Sequence, residues 1–448
     1  MKPIIPTAEA KKAMDQLGSQ GYESFAVGGC VRDSLLGRAP NDWDLTTNAL
    51  PSETLACFSD YRVIETGIQH GTVTVLVDGE PLEITTYRLD GAYADNRHPV
   101  RVTFSSRIED DLSRRDFTVN AMAYHPDRGL VDPFGGQDDL HRRLIRCVGD
   151  PKTRFEEDGL RILRAIRFAS VLNFDIEEAT AAQIHACRHL LDNIAKERIR
   201  EEFSKLLCGV NAVTVLREYS DVIGQFLPEI LPSVGFAQNS KYHCFDVWEH
   251  TLQALSKTDS PSLTVRLAIL LHDIGKPHCY SEDAQGGHFK GHAEISAEQT
   301  NELLTRLRFD NATRELLVKL VRYHDVPLSA EAKHVRRALL RFGEDGLRAL
   351  LEIQRCDRLA HAPAYCKPPA VLSLIPNEID RIKAEQDCLS LSTLAVKGKD
   401  LMRIGFSAGK ELGDTLQALL SAVIDGELPN EKEVLLQAAK NRRNGAGS

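Results

Sequence analysis

At 448 residues the chain exceeds the roughly 250 to 300 residues at which a single hydrophobic core stops growing, so several modules are expected. Hydrophobic residues make up 42% and charged residues 27%, which excludes a disordered or membrane-embedded chain, and a net charge of −9 leaves any nucleic-acid contact to local basic patches. The opening MKPIIPTAEAKKAMDQLGSQ has no apolar run long enough for a signal peptide or spanning helix, and the ten cysteines form no CxxC pair; a cytoplasmic protein with reduced packing cysteines and no membrane contact is expected.

SFAVGG, YRVIETG, GTVTVLVDG and PLEITTYRL predict strands, all within residues 1–145. From Asp150 onward apolar residues recur every three or four positions, in LRILRAIRFAS, IREEFSKLLCG, VWEHTLQAL and LRALLEIQ, which predicts helices. Breaks at Gly209 with LPEILPSVGFAQNS, and at HAPAYCKPPAVLSLIP, divide the helical part. The expected class is α+β: a head over 1–145, an all-α neck over 146–235, a helical domain over 240–365 and a helical tail over 366–448.

In the head, SFAVGGCVRDSLLGRAPNDWDLTT runs as a strand, a turn at Gly28 and Gly29, and a short amphipathic helix. Paired glycines before a helix N-terminus let backbone N–H groups approach a triphosphate, and Arg32 in the first turn can add a charge-assisted bond to phosphate or ribose. Asp42 and Asp44, two apart on an expected strand, point to one side and can hold two Mg²⁺ ions, whereas an isolated DxD would be an Asx-rich turn. Glu83 in LEITTYR is either the third carboxylate of that site or a partner for Arg88.

The segment GGCVRDSLLGRAPNDWDLTT resembles the signature of the nucleotidyltransferase superfamily that includes class II CCA-adding enzymes and bacterial poly(A) polymerases. That resemblance implies a polymerase-β-like head with a small mixed sheet. DLSRRDFTVNAMAY resembles the family's second motif and implies nucleotide contact by Arg115, and DPFGGQDDLHRRLIRCVGDP resembles the hinge into the neck. The polar stretch RLDGAYADNRHPVRVTFSS, Arg88 to Ser106, reads as a mobile loop; in the family a loop at this place accompanies the final A addition.

EDGLRILRAIRFAS, Glu157 to Ser170, predicts one helix with Asp158, Arg161 and Arg164 on a shared face. Cytosine and adenine offer an amino donor beside a ring-nitrogen acceptor, while uracil and guanine offer the reverse. A carboxylate only accepts and a guanidinium only donates, so Asp158 with Arg161 fits C and A and opposes U and G. The alternative is an i, i+3 ion pair worth a few tenths of a kcal/mol. In class II CCA-adding enzymes the motif EDxxR has the base-reading role, and the resemblance implies that Arg164 and Arg167 complete the pocket.

His250, His272, Asp273, His292, His324 and Asp357 form a second constellation. Adjacent His and Asp are explained better by a shared metal than by core packing. Their order resembles the HD superfamily of metal-dependent phosphohydrolases, which implies one divalent ion on His250, His272, Asp273 and Asp357, with His292 and His324 available for a second ion or for phosphate. Phosphatase or 2′,3′-cyclic phosphodiesterase activity would follow. Basic candidates for RNA are Lys196, Arg198, Arg200 and Lys205, then Lys333, Arg336, Arg337 and Arg341, then Lys410, and the tail residues Lys440, Arg442 and Arg443.

Taken together, the resemblance implies an enzyme that adds CCA to tRNA from CTP and ATP with Mg²⁺, and no obligate protein partner. The alternatives are a poly(A) polymerase, or an HD phosphohydrolase with an inert head.

Overall fold

The computed structural model describes residues 2–65, 67–91, 102–284, 286–385 and 387–445, and the chain divides into two compact units, Met1–Pro228 and Glu229–Ser448.

The first unit opens with the helix Ala8–Ser19, which buries Ala10, Ala13, Met14 and Leu17. A sheet follows, built from β1 (Ser24–Val27), β2 (Asp44–Thr47), β3 (Arg62–Ile64), β4 (Thr72–Val77) and β5 (Glu80–Thr86). A separate ribbon pairs β6 (Arg88–Asp90) with β7 (Val102–Phe104), and β8 (Ala123–His125) and β9 (Gly129–Val131) complete the main sheet in the order β3-β4-β5-β2-β1-β8-β9. Only β2 and β5 run parallel, so the sheet is mixed as expected. In β4, Val73, Val75 and Val77 are buried while the residues between them are not, the two-residue period of a strand with one face on a core. The predicted Arg88–Ser106 loop is clamped at its base by the β6–β7 ribbon, and its middle, 92–101, lies outside the described residues.

Two expectations are corrected. Short strands also occur beyond residue 145: Asp175–Ile176, paired with Leu144–Ile145, and Ser281–Asp283, paired with Gly286–His288. The predicted continuous helix from Glu157 is two helices, Pro151–Glu157 and Leu160–Leu172. Asp158 lies between them with extended backbone (φ −139°, ψ 105°), and its carboxylate accepts the Leu160 N–H at 3.0 Å, as a capping side chain does. Gly159 follows at a tight approach, since a Cβ there would stand 3.0 Å from the Leu190 carbonyl oxygen. Thus Asp158 does not share a helical face with Arg161 and Arg164.

The second helix packs Leu163 and Ile166 into the core of the unit and meets the helix Lys196–Leu207. Gly209 makes that approach close: a Cβ would fall 2.1 Å from Ser170 Oγ.

The second unit is helical, with Val247–Leu255, Leu263–Leu271, His292–Arg306, Asn311–Arg322, Ala332–Leu359 and Val371–Ala384, then three shorter-range tail helices around Leu401, Leu419 and Leu435. The span Ala332–Leu359 is broken at Gly343, whose φ of 70° a β-carbon-bearing residue rarely adopts. No helix among the described residues is long and apolar enough to cross a membrane.

Candidate functional site

In the head, β1 ends at Gly28 (φ 81°), and a Cβ there would lie 3.2 Å from Arg115 Nη1. Gly29 then starts the helix Gly29–Leu36, with its amides unpaired at the turn where an anion can approach. Arg32 is buried: it donates to Asn120 Oδ1 at 2.6 Å and twice to the Asp33 carboxylate at 2.9 Å.

Asp44 begins β2 and lies opposite Glu83 of β5 in the parallel register, while Asp42 is exposed and precedes the strand instead of lying on it. Burial, then the charges of Asp42 and Glu83, push the Asp44 carboxyl up to about 6 against the opposing pull of Arg115. Three carboxylates faced by one guanidinium are short of positive charge, which suits a cation. Their oxygens are not among the groups that converge within 4.8 Å. Arg88 donates to the His70 carbonyl, and Glu83 stands beside Asp44.

The segment Asp111–Asn120 ties this sheet to the neck. Asp111 is fully buried and binds both Arg114 (2.7 Å) and Arg115 (3.1 Å). Burial alone would raise the Asp116 carboxyl, but Arg164, with Asn120, holds it down at about 2; Arg164 lies 2.6 Å away and Asn120 at 3.1 Å. Arg167 pairs with Glu202 at 2.7 Å. A continuous chain Arg32–Asn120–Asp116–Arg164–Glu202–Arg167 therefore joins the glycine turn to the neck helix. Arg161 is held by Glu157 (2.5 Å) and by the carbonyls of Arg154 (3.0 Å) and Arg114 (2.9 Å), and Asp158 Oδ2 accepts from Arg198 at 3.0 Å. Asp111, Asp116, Asn120 and Glu202 were not singled out from sequence; the first three stand in or beside the motif around Arg115.

In the second unit all the predicted histidine and aspartate residues converge. His250 Nε2 lies 2.9 Å from Asp357, His272 Nε2 3.1 Å from Asp273, His292 Nε2 3.3 Å and His324 Nε2 3.7 Å from the other Asp273 oxygen. Ligand atoms gather within 4.8 Å in the groups His250, His272, Asp273, Asp357 and Asp273, His292, His324. His272, His292 and His324 each point Nδ1 at a backbone carbonyl three residues earlier, at 2.6 to 2.8 Å. That contact fixes Nδ1 as the N–H donor and leaves Nε2 as a lone pair. The Nε2 atoms of His292 and His324 then face each other at 3.2 Å, an arrangement of two acceptors that a cation would relieve. Asp273 is fully buried with neither oxygen in a well-aligned hydrogen bond, although the Lys276 ammonium stands 2.7 Å away. Burial disfavours a charged His272, yet Asp273 and Asp357 outweigh it and push its pKa up to about 10, so these two carboxylates call for positive charge at Nε2, from a proton or from a metal ion in its place. Asp273, His292, His324 and Asp357 line a cavity of about 700 Å³, joined by Lys276, His243 and His361, which sequence reasoning did not select.

Several basic candidates have structural partners: Arg198 on Asp158, Arg336 on Asp387, Arg337 on Asp425, Arg443 on the Ile404 carbonyl, and Arg341 over the Tyr323 ring. Lys205, Lys410, Lys440 and Arg442 are exposed.

Residues 24–146 match the family model "Poly A polymerase head domain", residues 173–232 the "Probable RNA and SrmB- binding site of polymerase A", and residues 288–439 a tRNA nucleotidyltransferase domain 2. Over nearly the whole chain the similarity is to CCA-adding enzymes: 33% identity to that of Streptococcus gordonii, covering 97% of each chain, and 34% to that of Geobacillus thermodenitrificans, covering 97% of this chain and 96% of the relative. The solved Bacillus stearothermophilus CCA-adding enzyme in complex with CTP superposes with a TM-score of 0.75 at 31% identity, covering 100% of this chain and 99% of that one. A head matched to polymerase A thus continues into a full-length likeness to enzymes of CCA addition, and the chain belongs to the CCA-adding enzyme family of tRNA nucleotidyltransferases.

Proposed function

We propose that this chain builds and repairs the 3′-terminal CCA of tRNA from CTP and ATP at a centre formed by Asp42 and Asp44 with Glu83, the head being residues 1–145 and the base-reading neck 146–235. The observation that carries this reading is the carboxylate cluster around Asp44, short of positive charge and adjoining the Gly28–Gly29 turn. Asp42, Asp44 and Glu83 would hold Mg²⁺, which would supply activation of the tRNA 3′-hydroxyl and compensation of the charge on pyrophosphate. The chain's own residues do the rest. The amides after Gly28 and the Arg32 and Arg115 guanidinia orient the triphosphate, so that the 3′-oxygen bonds to the α-phosphorus as the bond to pyrophosphate breaks.

Asp158 reads the base. Leu160 N–H and Arg198 each occupy one of its oxygens and fix its direction, and a carboxylate oxygen has a second lone pair, which accepts the amino group of C or A. Arg161 donates to the ring nitrogen, and Arg164 and Arg167, set by Asp116 and Glu202, close the pocket. The test is Asp42→Ala and Asp44→Ala: nucleotide addition should be abolished with tRNA binding kept. Normal incorporation in either variant refutes the assignment.

The second unit is proposed to carry a phosphohydrolase in an HD domain spanning 240–365, supported by the four imidazoles and two carboxylates that meet around Asp273 and Asp357. A divalent ion there would supply the activation of water for attack on phosphorus. The exposed Lys205, Lys410, Lys440 and Arg442 are the tRNA contacts favoured by their lack of burial.

A further inference from the structure

We infer that His243, His250 and His361 form a further ion position beside the proposed HD centre, selective for a nitrogen-preferring divalent ion such as Zn²⁺. Neither the nucleotidyltransferase reading nor the six-residue HD set includes His243 or His361, and the inference does not depend on turnover at the HD centre.

His243 precedes the helix Val247–Leu255, His250 lies on it, and His361 follows the helix Ala332–Leu359. One ring nitrogen of each lies within 4.8 Å of the other two. The ring centroids are 4.7 Å apart for His243 and His250, 4.6 Å for His243 and His361, and 5.6 Å for His250 and His361. Ordinary packing explains this poorly. A buried imidazole normally has its ring N–H and lone pair satisfied, yet Nδ1 of His243 and Nδ1 of His361 are both buried without a hydrogen-bond partner. His250 Nδ1 has only a long contact, 3.4 Å, to the Ala360 carbonyl.

Three imidazoles are a ligand set suited to Zn²⁺, Ni²⁺ or Cu²⁺, whereas Mg²⁺ prefers oxygen. Tetrahedral Zn–N bonds of about 2.0 to 2.1 Å place ligand atoms roughly 3.4 Å apart, so binding would draw the rings inward by about an ångström. Asp357 Oδ1, 4.0 Å from His361 Nε2, supplies negative charge on one side. His243 and His361 both line the 700 Å³ cavity, which gives the ion an entry path and an open fourth position. Because His250 belongs also to the HD set, the two positions adjoin.

The test uses the full chain with His272→Ala and Asp273→Ala, which disables both other ligand groups. After chelator stripping, Zn²⁺ is titrated calorimetrically and bound metal is quantified, with the circular dichroism spectrum and thermal melt of the full chain as the check on folding. The expected result is one Zn²⁺ equivalent, unaffected by excess Mg²⁺ and lost when His243→Ala and His361→Ala are added. No Zn²⁺ in the folded double variant, or binding that survives removal of His243 and His361, overturns the inference. Should the double variant not fold, His243→Gln with His361→Gln in the otherwise intact chain gives the same decision: bound Zn²⁺ falls by one equivalent, or the site does not exist.

Discussion

Replacing Asp158 with asparagine separates base reading from structure. The asparagine Oδ1 still accepts the Leu160 N–H, so the cap, worth about 1 kcal/mol, is kept. The lost ion pair with Arg198 joins side chains that are only 18% and 27% exposed, so its loss costs more than that of a surface pair, about 1 to 3 kcal/mol. Selectivity is therefore read as the ratio between nucleotides, which a uniform loss of folded protein does not change. At the base the acceptor for the amino group of C or A becomes an amide that can also donate, and the carbonyl O4 of uracil becomes acceptable. One good paired contact to a base edge is worth about 1 to 3 kcal/mol, so discrimination against UTP should fall by about 5- to 150-fold. Asp158→Ala should lose discrimination too, with the added cost of the cap. The assay is single-turnover addition of each of the four nucleotides to tRNA ending before CCA, at equal Mg²⁺. If Asp158→Asn slows all four equally and keeps the preference for C and A, Asp158 is only a helix cap and the base-reading argument is wrong.

Changing His272 and Asp273 together to alanine should eliminate metal-dependent hydrolysis of 2′,3′-cyclic nucleotides while CCA addition continues; a wild type inert toward phosphoesters with Mg²⁺, Mn²⁺, Ni²⁺ and Co²⁺ would end the hydrolase proposal. Asp116→Asn should destabilise the first unit by roughly 2 kcal/mol at neutral pH, the size of the depression from 3.8 to about 2 that Arg164 produces. A depressed carboxyl stabilises the fold above its unfolded pKa and stops doing so as pH falls through its folded one. The gap in urea midpoint between wild type and Asp116→Asn should thus close between about pH 4 and pH 2, and a gap independent of pH would assign the effect to packing.

The chemistry-bearing residue types were legible because their spacing is local. Gly28 and Gly29 stand at a strand end, and the helical period carries Leu163 and Ile166 inward as expected. The His and Asp residues of the second unit were legible as a set because six polar residues on apolar helices need a common partner. What sequence could not supply was pairing at long separation. Arg32 meets Asn120 across 88 positions, Arg164 meets Asp116 across 48, and Arg167 meets Glu202 across 35. The helix break at Asp158 was missed for a different reason. The apolar period of Leu160, Leu163 and Ile166 starts only at Leu160, so it does not say whether Glu157 and Asp158 belong to the same helix, and the extended backbone of Asp158 is visible only in the structure.

The arginines of the proposed nucleotide pocket are paired with carboxylates both near and far in the chain. Arg32 faces Asp33, Arg115 faces Asp111, Arg164 faces Asp116, Arg167 faces Glu202, and Arg198 faces Asp158. An arginine already neutralised by a buried carboxylate offers a triphosphate directed N–H groups but little net charge. On the proposed reading such a pocket orients the nucleotide, and compensation of phosphate charge would fall to cations held by Asp42, Asp44 and Glu83. This arrangement accords with a chain of net charge −9, and under the proposed base reading it gives a physical reason for selectivity from fixed hydrogen-bond direction: a bare cluster of arginines would hold any nucleotide tightly, whereas paired ones would reward the base that meets Asp158 and Arg161 in register.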